Sequence, residues 1–446
     1  MKKLLITILL FSAFNVYSQI ELTAEKCREM ALENSYDMQI ASLQYDKMRA
    51  DQKAVFSNFL PKISGSASFV SVFQDIDIME MNFTGDGFFT IDMPFEMFIS
   101  MKAAYMAGIN LQQPIFAGGK IYTGNQMAKK GIEMTEENIR LTRMSTIVEA
   151  EKAYWIYVSV REKVKLLESY ETLLDSLYLQ VSDFSRLEMA VPADVQKVKS
   201  KRSNIKYELQ RAKSGLELSR MSLCHLIGVN IDTTIIVLDS TIVLPENKVI
   251  TSRDISLRPE YILLQKQVKL SELTIKNTRA DFLPKIGINV GYTYVGGIKM
   301  GATLSGYTLM EDNLNMSLPM VMASVSIPIF HFGEGAKKIK SAKISHSISE
   351  LELKKNSELM NIEVEKTLTD FRNSFLQIEA AEEAMAEAEA DLKIAKDNYE
   401  LKMGTLFDVL ETQTQYQEAY SNLIEARTNC KIKEIEYLKS VGRVEN

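Results

Sequence analysis

Little in this 446-residue sequence invites covalent or metal chemistry. Its three cysteines, Cys27, Cys224 and Cys430, stand far apart with no CxxC pair. That argues against a disulfide framework or a zinc site and leaves them as small apolar residues of helical patterns. The three histidines, His225, His331 and His346, share no ligand spacing. There is no Ser/His/Asp arrangement and no glycine-rich cradle before a helix, so no catalytic residue, cofactor or metal ligand is expected. A basic excess is also lacking: the net charge is -6, and -8 without Lys2 and Lys3, which argues against nucleic acid as a partner.

Long apolar runs are missing too. The longest, Leu4 to Phe14, is 11 residues, about half of what a bilayer-spanning helix requires. With Lys2 and Lys3 before it and the small residue Ser18 after it, this segment reads as a secretory signal peptide over residues 1–18. Any membrane entry by the mature chain must then use a closed β-barrel.

Glycine and proline are absent between Gly131 and Pro192 and again between Gly335 and Gly404. Such runs, rich in Glu, Lys, Leu and Ala, predict helices on the order of 90 to 100 Å long at 1.5 Å per residue. Val195, Val198, Arg202, Ile205, Leu209, Ala212 and Leu216 follow with the alternating 3,4 spacing of a coiled-coil seam. Ala380, Ala384 and Ala388 could let neighbouring helices approach closely, or express helix propensity alone.

What the sequence does contain is a duplication. "FLPKI" occurs at Phe59 to Ile63 and at Phe282 to Ile286, an offset of 223, and "PIF" at Pro114 and Pro328, an offset of 214. The 214 offset then persists, relating Met189 to Met403, Asp194 to Asp408 and Gly228 to Gly442. Two repeats are expected. The first, 19–228, holds a helix, a β-hairpin at about 64–114 and long helices at 119–187 and 192–228. The second, 254–446, holds a helix, a β-hairpin at about 286–330 and long helices at 335–402 and 405–441. A β-rich linker, 229–253, lies between them.

Each hairpin alternates. Ala103, Tyr105, Ala107, Ile109 and Leu111 oppose Gly108, Asn110 and Gln112. Likewise Ile286, Ile288, Val290, Tyr292 and Tyr294 oppose Gly287, Asn289, Gly291 and Thr293, while Val321, Ala323 and Val325 oppose Ser324 and Ser326. Segments of about ten residues, apolar on one face and polar on the other, are the pattern of transmembrane β-strands. A soluble sandwich would need more than four strands. Four strands cannot close a barrel either, so identical subunits must supply the rest. Two copies would fill their own interior, whereas three would leave a lumen.

The ordered set of FLPKI and PIF pairs, "LRPEY" at Leu257 to Tyr261 and the turn "LKMGTLFDVLETQTQYQEAYSNLIEA" resembles the TolC-type outer-membrane efflux family over essentially all of the mature chain. The resemblance implies a mainly α fold with a membrane β-barrel part, built from an internally duplicated helix-strand-strand-helix unit. A homotrimer would form a 12-stranded β-barrel in the outer membrane, continued by a 12-helix α-helical barrel in the periplasm. It implies a passive exit duct for efflux or type I secretion, working with a periplasmic adaptor and an inner-membrane pump of RND, ABC or MFS type. A periplasmic coiled-coil tether is the alternative, and it leaves the strands unexplained.

The resemblance also places a narrow aperture at the helix turns. Asp408 and Glu411 match the acidic positions of the family's turn motif, and Asp194 matches its aspartate in the first repeat. For Asp194, aperture lining and helix capping stand level. The three-residue spacing of Asp408 and Glu411 puts both on one helix face and favours the aperture. Met189, Ala190 and Val191, with Met403, Gly404 and Thr405, fall at the adaptor-contact turns. The family's Tyr/Arg lock has no clear match, since Tyr399 and Lys402 are the nearest candidates. Residues 75–101, rich in Met and Phe, are expected outside the cell, where they plug the mouth or pack beside it.

Overall fold

A computed structural model describes residues 20–83, 95–189, 191–239, 252–304 and 306–444. The expected signal peptide, part of the first hairpin, Ala190 and linker residues 240–251 lie outside the described residues.

Chain order begins with β1 (Ile20–Leu22), α1 (Ala24–Asn34), α2 (Tyr36–Phe56), β2 (Lys62–Phe83) and β3 (Phe95–Ala117). The helices α3 (Lys120–Arg186) and α4 (Pro192–Leu226) complete the first repeat, and β4 (Ile235–Val237) lies in the linker. Then come α5 (Pro259–Ala280), β5 (Lys285–Leu304), β6 (Tyr307–Ser326), α6 (Glu334–Glu400) and α7 (Leu406–Ser440). Helices α3 and α6 are each 67 residues, and α4 and α7 each 35. Both ends of each pair differ by 214 positions, so the second repeat starts and stops its long helices at the residues that answer those of the first.

The two compact units of the chain are not the two repeats. One unit takes residues up to 47, 133–266 and 350 onward, and the other takes 48–132 and 267–349, so each draws on both repeats. The first unit is helical. Ala150, Tyr154, Tyr157, Leu223 and Ile227 are buried together in one of its cores, and Val364, Leu368, Phe371, Tyr437 and Val441 are buried in another. These two sets correspond residue by residue at the 214 offset, so the duplication extends to packing. In the first core β4 pairs parallel with β1, matching Ile20 to Ile235 and Leu22 to Val237. Arg161 of α3 fastens this strand by donating to the carbonyls of Val237, at 2.9 Å, and of Asp239. Burial pushes the Cys27 thiol up to about 12, which makes it an unreactive core residue. "LRPEY" has a physical account too. Arg258, 4% exposed, lies between Glu260 at 3.2 Å and Glu363 at 2.7 Å, and Pro259 opens α5.

The second unit carries one antiparallel sheet in the order β2-β3-β5-β6, with β2 and β6 at its edges. Pro61 and Pro284 of the two FLPKI segments stop the preceding helices, and Lys62 and Lys285 begin β2 and β5. The strands run 22, 23, 20 and 20 residues, about twice the length that the alternation predicts. Pairing continues past a belt of register shifts at Ser71/Ile76, Met101/Tyr105 and Val295/Ile298. Gly297 permits the shift, having φ +84° and no room for a Cβ, which would meet the Ala103 carbonyl oxygen at 2.3 Å.

Gly228 and Gly442 both have φ +70° just beyond α4 and α7. A Cβ on Gly228 would sit 2.5 Å from the Asn34 Cβ, and one on Gly442 would sit 2.9 Å from the Leu257 carbonyl carbon. Gly228→Ala and Gly442→Ala are each expected to cost about 2 kcal/mol, from backbone strain added to the clash, with the larger loss at Gly228. The urea midpoint of detergent-purified protein measures this, and an unchanged midpoint would contradict the account.

Candidate functional site

Two helix turns, 187–191 between α3 and α4 and 401–405 between α6 and α7, carry the residues that the sequence nominates. Each first helix ends in a Schellman-type reversal. In the first turn the Met189 amide donates to the Phe184 carbonyl at 2.8 Å, and Glu188 adopts φ +60°. The second turn repeats this with the Met403 amide on the Asn398 carbonyl at 2.8 Å and Lys402 at φ +61°. Glycine is the usual residue at such a position, so both turns hold a strained side-chain-bearing residue.

The returning helices start differently. Helix α4 opens with Pro192 after Val191, with no side-chain cap. Helix α7 opens with a capping box. The Thr405 hydroxyl accepts from the Asp408 amide at 3.2 Å, while the Thr405 amide donates to the Asp408 carboxylate at 2.8 Å. The Thr405 hydroxyl also contacts that carboxylate, at 2.7 Å. These bonds, the backbone one foremost, hold the Asp408 carboxyl below its ordinary range. Asp408 is therefore an exposed residue that caps its own helix. Glu411 is exposed one turn further on. Asp194 is half-buried and forms an ion pair with Lys197 at 3.3 Å. Its charge also reaches Tyr399, whose phenol is pushed up by burial first and by Asp194 second.

One core gathers the ends of all four long helices: Leu174, Leu177 and Val181 of α3, Val198 of α4, Ala395 of α6, and Leu406 and Val409 of α7. Tyr399 packs against it, so this tyrosine, a candidate for the lock, is occupied in the core. Outside the core the turns present an apolar tip. Met189, Val191 and Met403 are exposed, and so are Leu187, Leu401 and Phe407. Leu187 and Phe407 escaped the sequence reading. Their signal was a large apolar residue beside a turn, off the coiled-coil seam. Gly404 is half-buried, and its amide bonds to the Asn398 carbonyl at 3.1 Å. Among the described residues no group of His, Cys, Asp and Glu is placed to hold a metal ion, and no helix is long and apolar enough to cross a membrane.

Thr405→Ala removes half of the capping box and is expected to cost about 1 kcal/mol at the start of α7. Because the folded pKa of Asp408 is lowered, its stabilisation is complete above the ordinary carboxylate pKa and is lost as pH falls through the lowered value. The protection of amides 405–409, measured against the intrinsic exchange rate at each pH, should therefore fall on acidification in the wild type. The step should be smaller in Thr405→Ala, and equal acid steps in both proteins would refute the coupling.

The sequence profile of the outer membrane efflux protein family matches residues 27–176 and 263–443, well over half of the chain. The first turn and α4 fall in the gap between the matched ranges. No curated protein matches the chain in sequence. Among solved structures, the fold is similar to that of CusC, which forms a transmembrane channel, with a TM-score of 0.72 and 16% identity over 95% of this chain and 93% of that one. It is also similar to the Campylobacter jejuni CmeC outer membrane channel, with a TM-score of 0.73 and 18% identity over 94% of this chain and 86% of that one. The open state of the Neisseria gonorrhoeae MtrE outer membrane channel gives a TM-score of 0.68 and 18% identity over 94% and 89% of the two chains. The duplicated sheet-and-long-helix fold and the breadth of the profile match lead to one assignment: this chain belongs to the outer membrane efflux protein family, whose members are outer-membrane ducts with periplasmic helices rather than enzymes.

Proposed function

We propose that three copies of this chain form a passive exit duct that receives solutes from a periplasmic adaptor and an inner-membrane pump and releases them outside the cell. The open sheet carries this reading. Four antiparallel strands end in the two edges β2 and β6, which run in opposite directions. The β6 edge of one copy can therefore pair antiparallel with the β2 edge of the next, and three copies close twelve strands around a lumen. A tether would need no such sheet.

In this assembly each acidic residue of the turns becomes a ring of three. Asp408 keeps its charge down to low pH because its own helix start stabilises the carboxylate. Glu411 adds a second exposed carboxylate on the same helix face. Rings of carboxylates at a narrow end favour cations. The exposed Leu187, Met189, Val191, Leu401, Met403 and Phe407 offer an apolar tip for the adaptor.

Purified trimers in a planar bilayer should conduct with cation selectivity. The double variant Asp408→Asn, Glu411→Gln should conduct with that selectivity reduced, because asparagine can still accept the Thr405 amide and leave the turn formed. Unchanged selectivity would remove both residues from the aperture. A monomer without heat-modifiable gel migration would defeat the duct itself.

A further inference from the structure

Directly paired residues of an antiparallel sheet share a face, so the register sorts every side chain to one side or the other. Strand β6 serves as the ruler, because it carries no extra residue between Met310 and Ser326. On one face, the row Leu111, Val290, Val321 is apolar near the helices. Further along, past the belt of register shifts, that same face carries the row Ser100, Lys299, Asn313, with Lys299 in an ion pair with Glu311 at 2.7 Å. The opposite face does the reverse. Near the helices it holds the rows Asn110, Gly291, Met320 and Gln112, Asn289, Met322, polar or small on β3 and β5 and apolar on β6, and past the belt it holds the row Met97, Ala302, Met310, apolar on all three strands. The row Met106, Val295, Met316 marks the changeover.

Exposure separates the two faces. Along β5 near the helices, Ile286, Ile288, Val290 and Tyr292 are exposed, while the alternating Gly287, Asn289, Gly291 and Thr293 are half-buried. We infer that the second, less exposed set faces the lumen of the barrel and the first set faces outward. The helix-proximal halves, about ten residues each, suffice to span a bilayer with lipid against the Leu111, Val290, Val321 face. Beyond the belt, the outward face with its Lys299–Glu311 pair belongs in water. Resting on the duct reading, we propose that the barrel continues past the lipid as an extracellular collar with a polar outer face and a methionine-rich apolar throat, which favours apolar and amphiphilic organic solutes over hydrated ions. Thioether and aliphatic walls offer nothing to replace the hydration shell of an ion, and flexible methionines adapt to varied apolar shapes. Asp312, opposite Met300, is the charged exception on the inner face.

Cysteine accessibility in intact cells tests the collar. The native cysteines are buried and give little background. Lys299→Cys should react with a polyethylene-glycol maleimide too bulky to enter the bore and with a small membrane-impermeant thiol reagent. Met300→Cys should react with the small reagent alone, and Ile288→Cys with neither. A shielded Lys299→Cys, or a Met300→Cys open to the bulky reagent, would overturn the collar while leaving the duct. An Ile288→Cys as reactive as Lys299→Cys would remove the lipid face and the duct reading with it. For the throat, the triple variant Met106→Asn, Met300→Asn, Met316→Asn should raise the potassium conductance of heat-modifiable trimers about threefold or more. Equal conductance in wild type and variant would overturn the throat and leave the duct standing.

Discussion

The unpaired backbone along β2 and β6 constrains everything else in this protein. In hydrocarbon each orphaned N–H or C=O group costs several kcal/mol, and two open edges together would cost on the order of tens. No side-chain choice removes that cost; only another strand does. The chain supplies four strands, so the rest come from copies of itself, and a barrel of that size cannot be filled by its own side chains. The bore is thus a consequence of satisfying hydrogen bonds.

Duplication lets the same local solution serve twice, and the places where the copies diverge are informative. The paired cores around Tyr154 and Leu368 use different residues at matching positions, which shows that volume and patterning rather than identity specify the packing. The helix ends are stricter. Glu188 and Lys402 share a left-handed conformation that costs about 1–2 kcal/mol in a residue with a side chain. Opposite charges at the same strained position indicate that the backbone path, rather than the side chain, is what the two turns have in common. They differ in how the next helix begins: proline presets it at Pro192, and a reciprocal hydrogen-bond pair fixes it at Thr405. An acid at the second turn is therefore committed to structure before it can act on a permeating ion. The sequence alone could not weigh those roles, because a capping aspartate and a lining aspartate occupy the same position.

Much of the architecture is legible because it rests on long-range regularities. A 214-residue offset survives divergence, and the absence of glycine and proline over whole segments admits few folds but helix. What was not legible depends on single backbone angles. The left-handed residues of the two turns are Glu188 and Lys402, side-chain-bearing residues that nothing in the sequence marks for that conformation. Leu187 and Phe407 are large apolar residues beside the turns and off the seam, and only the fold shows that they stay exposed while Leu406 and Val409 are buried. Nor did the duplication reveal that the compact units would interleave the repeats, since contact and sequence order are separate properties of a chain that crosses between units several times.

The strands show most clearly why pattern and geometry can part. Along β3 the apolar residues Met97, Ile99, Tyr105, Ala107, Ile109 and Leu111 all fall on odd numbers, which in an unbroken strand would put them on one face. Between the paired rows Met106, Val295, Met316 and Met101, Ile298, Leu314, β3 advances five residues and β5 three while β6 advances two, and these odd excesses turn β3 and β5 over relative to β6, so that one run of alternation dresses opposite faces of the sheet on the two sides of the belt. Adjacent glycines at 296 and 297 were the available sign, because glycine within a strand marks a bulge. The height of that belt then fixes how much of each strand can lie in lipid. Moving it by two residues along β3 and β5 would carry one more polar row into the bilayer or one more apolar row out of it. The glycines thus set the upper boundary of the membrane-spanning segment, a boundary that no single apolar side chain in the sheet defines.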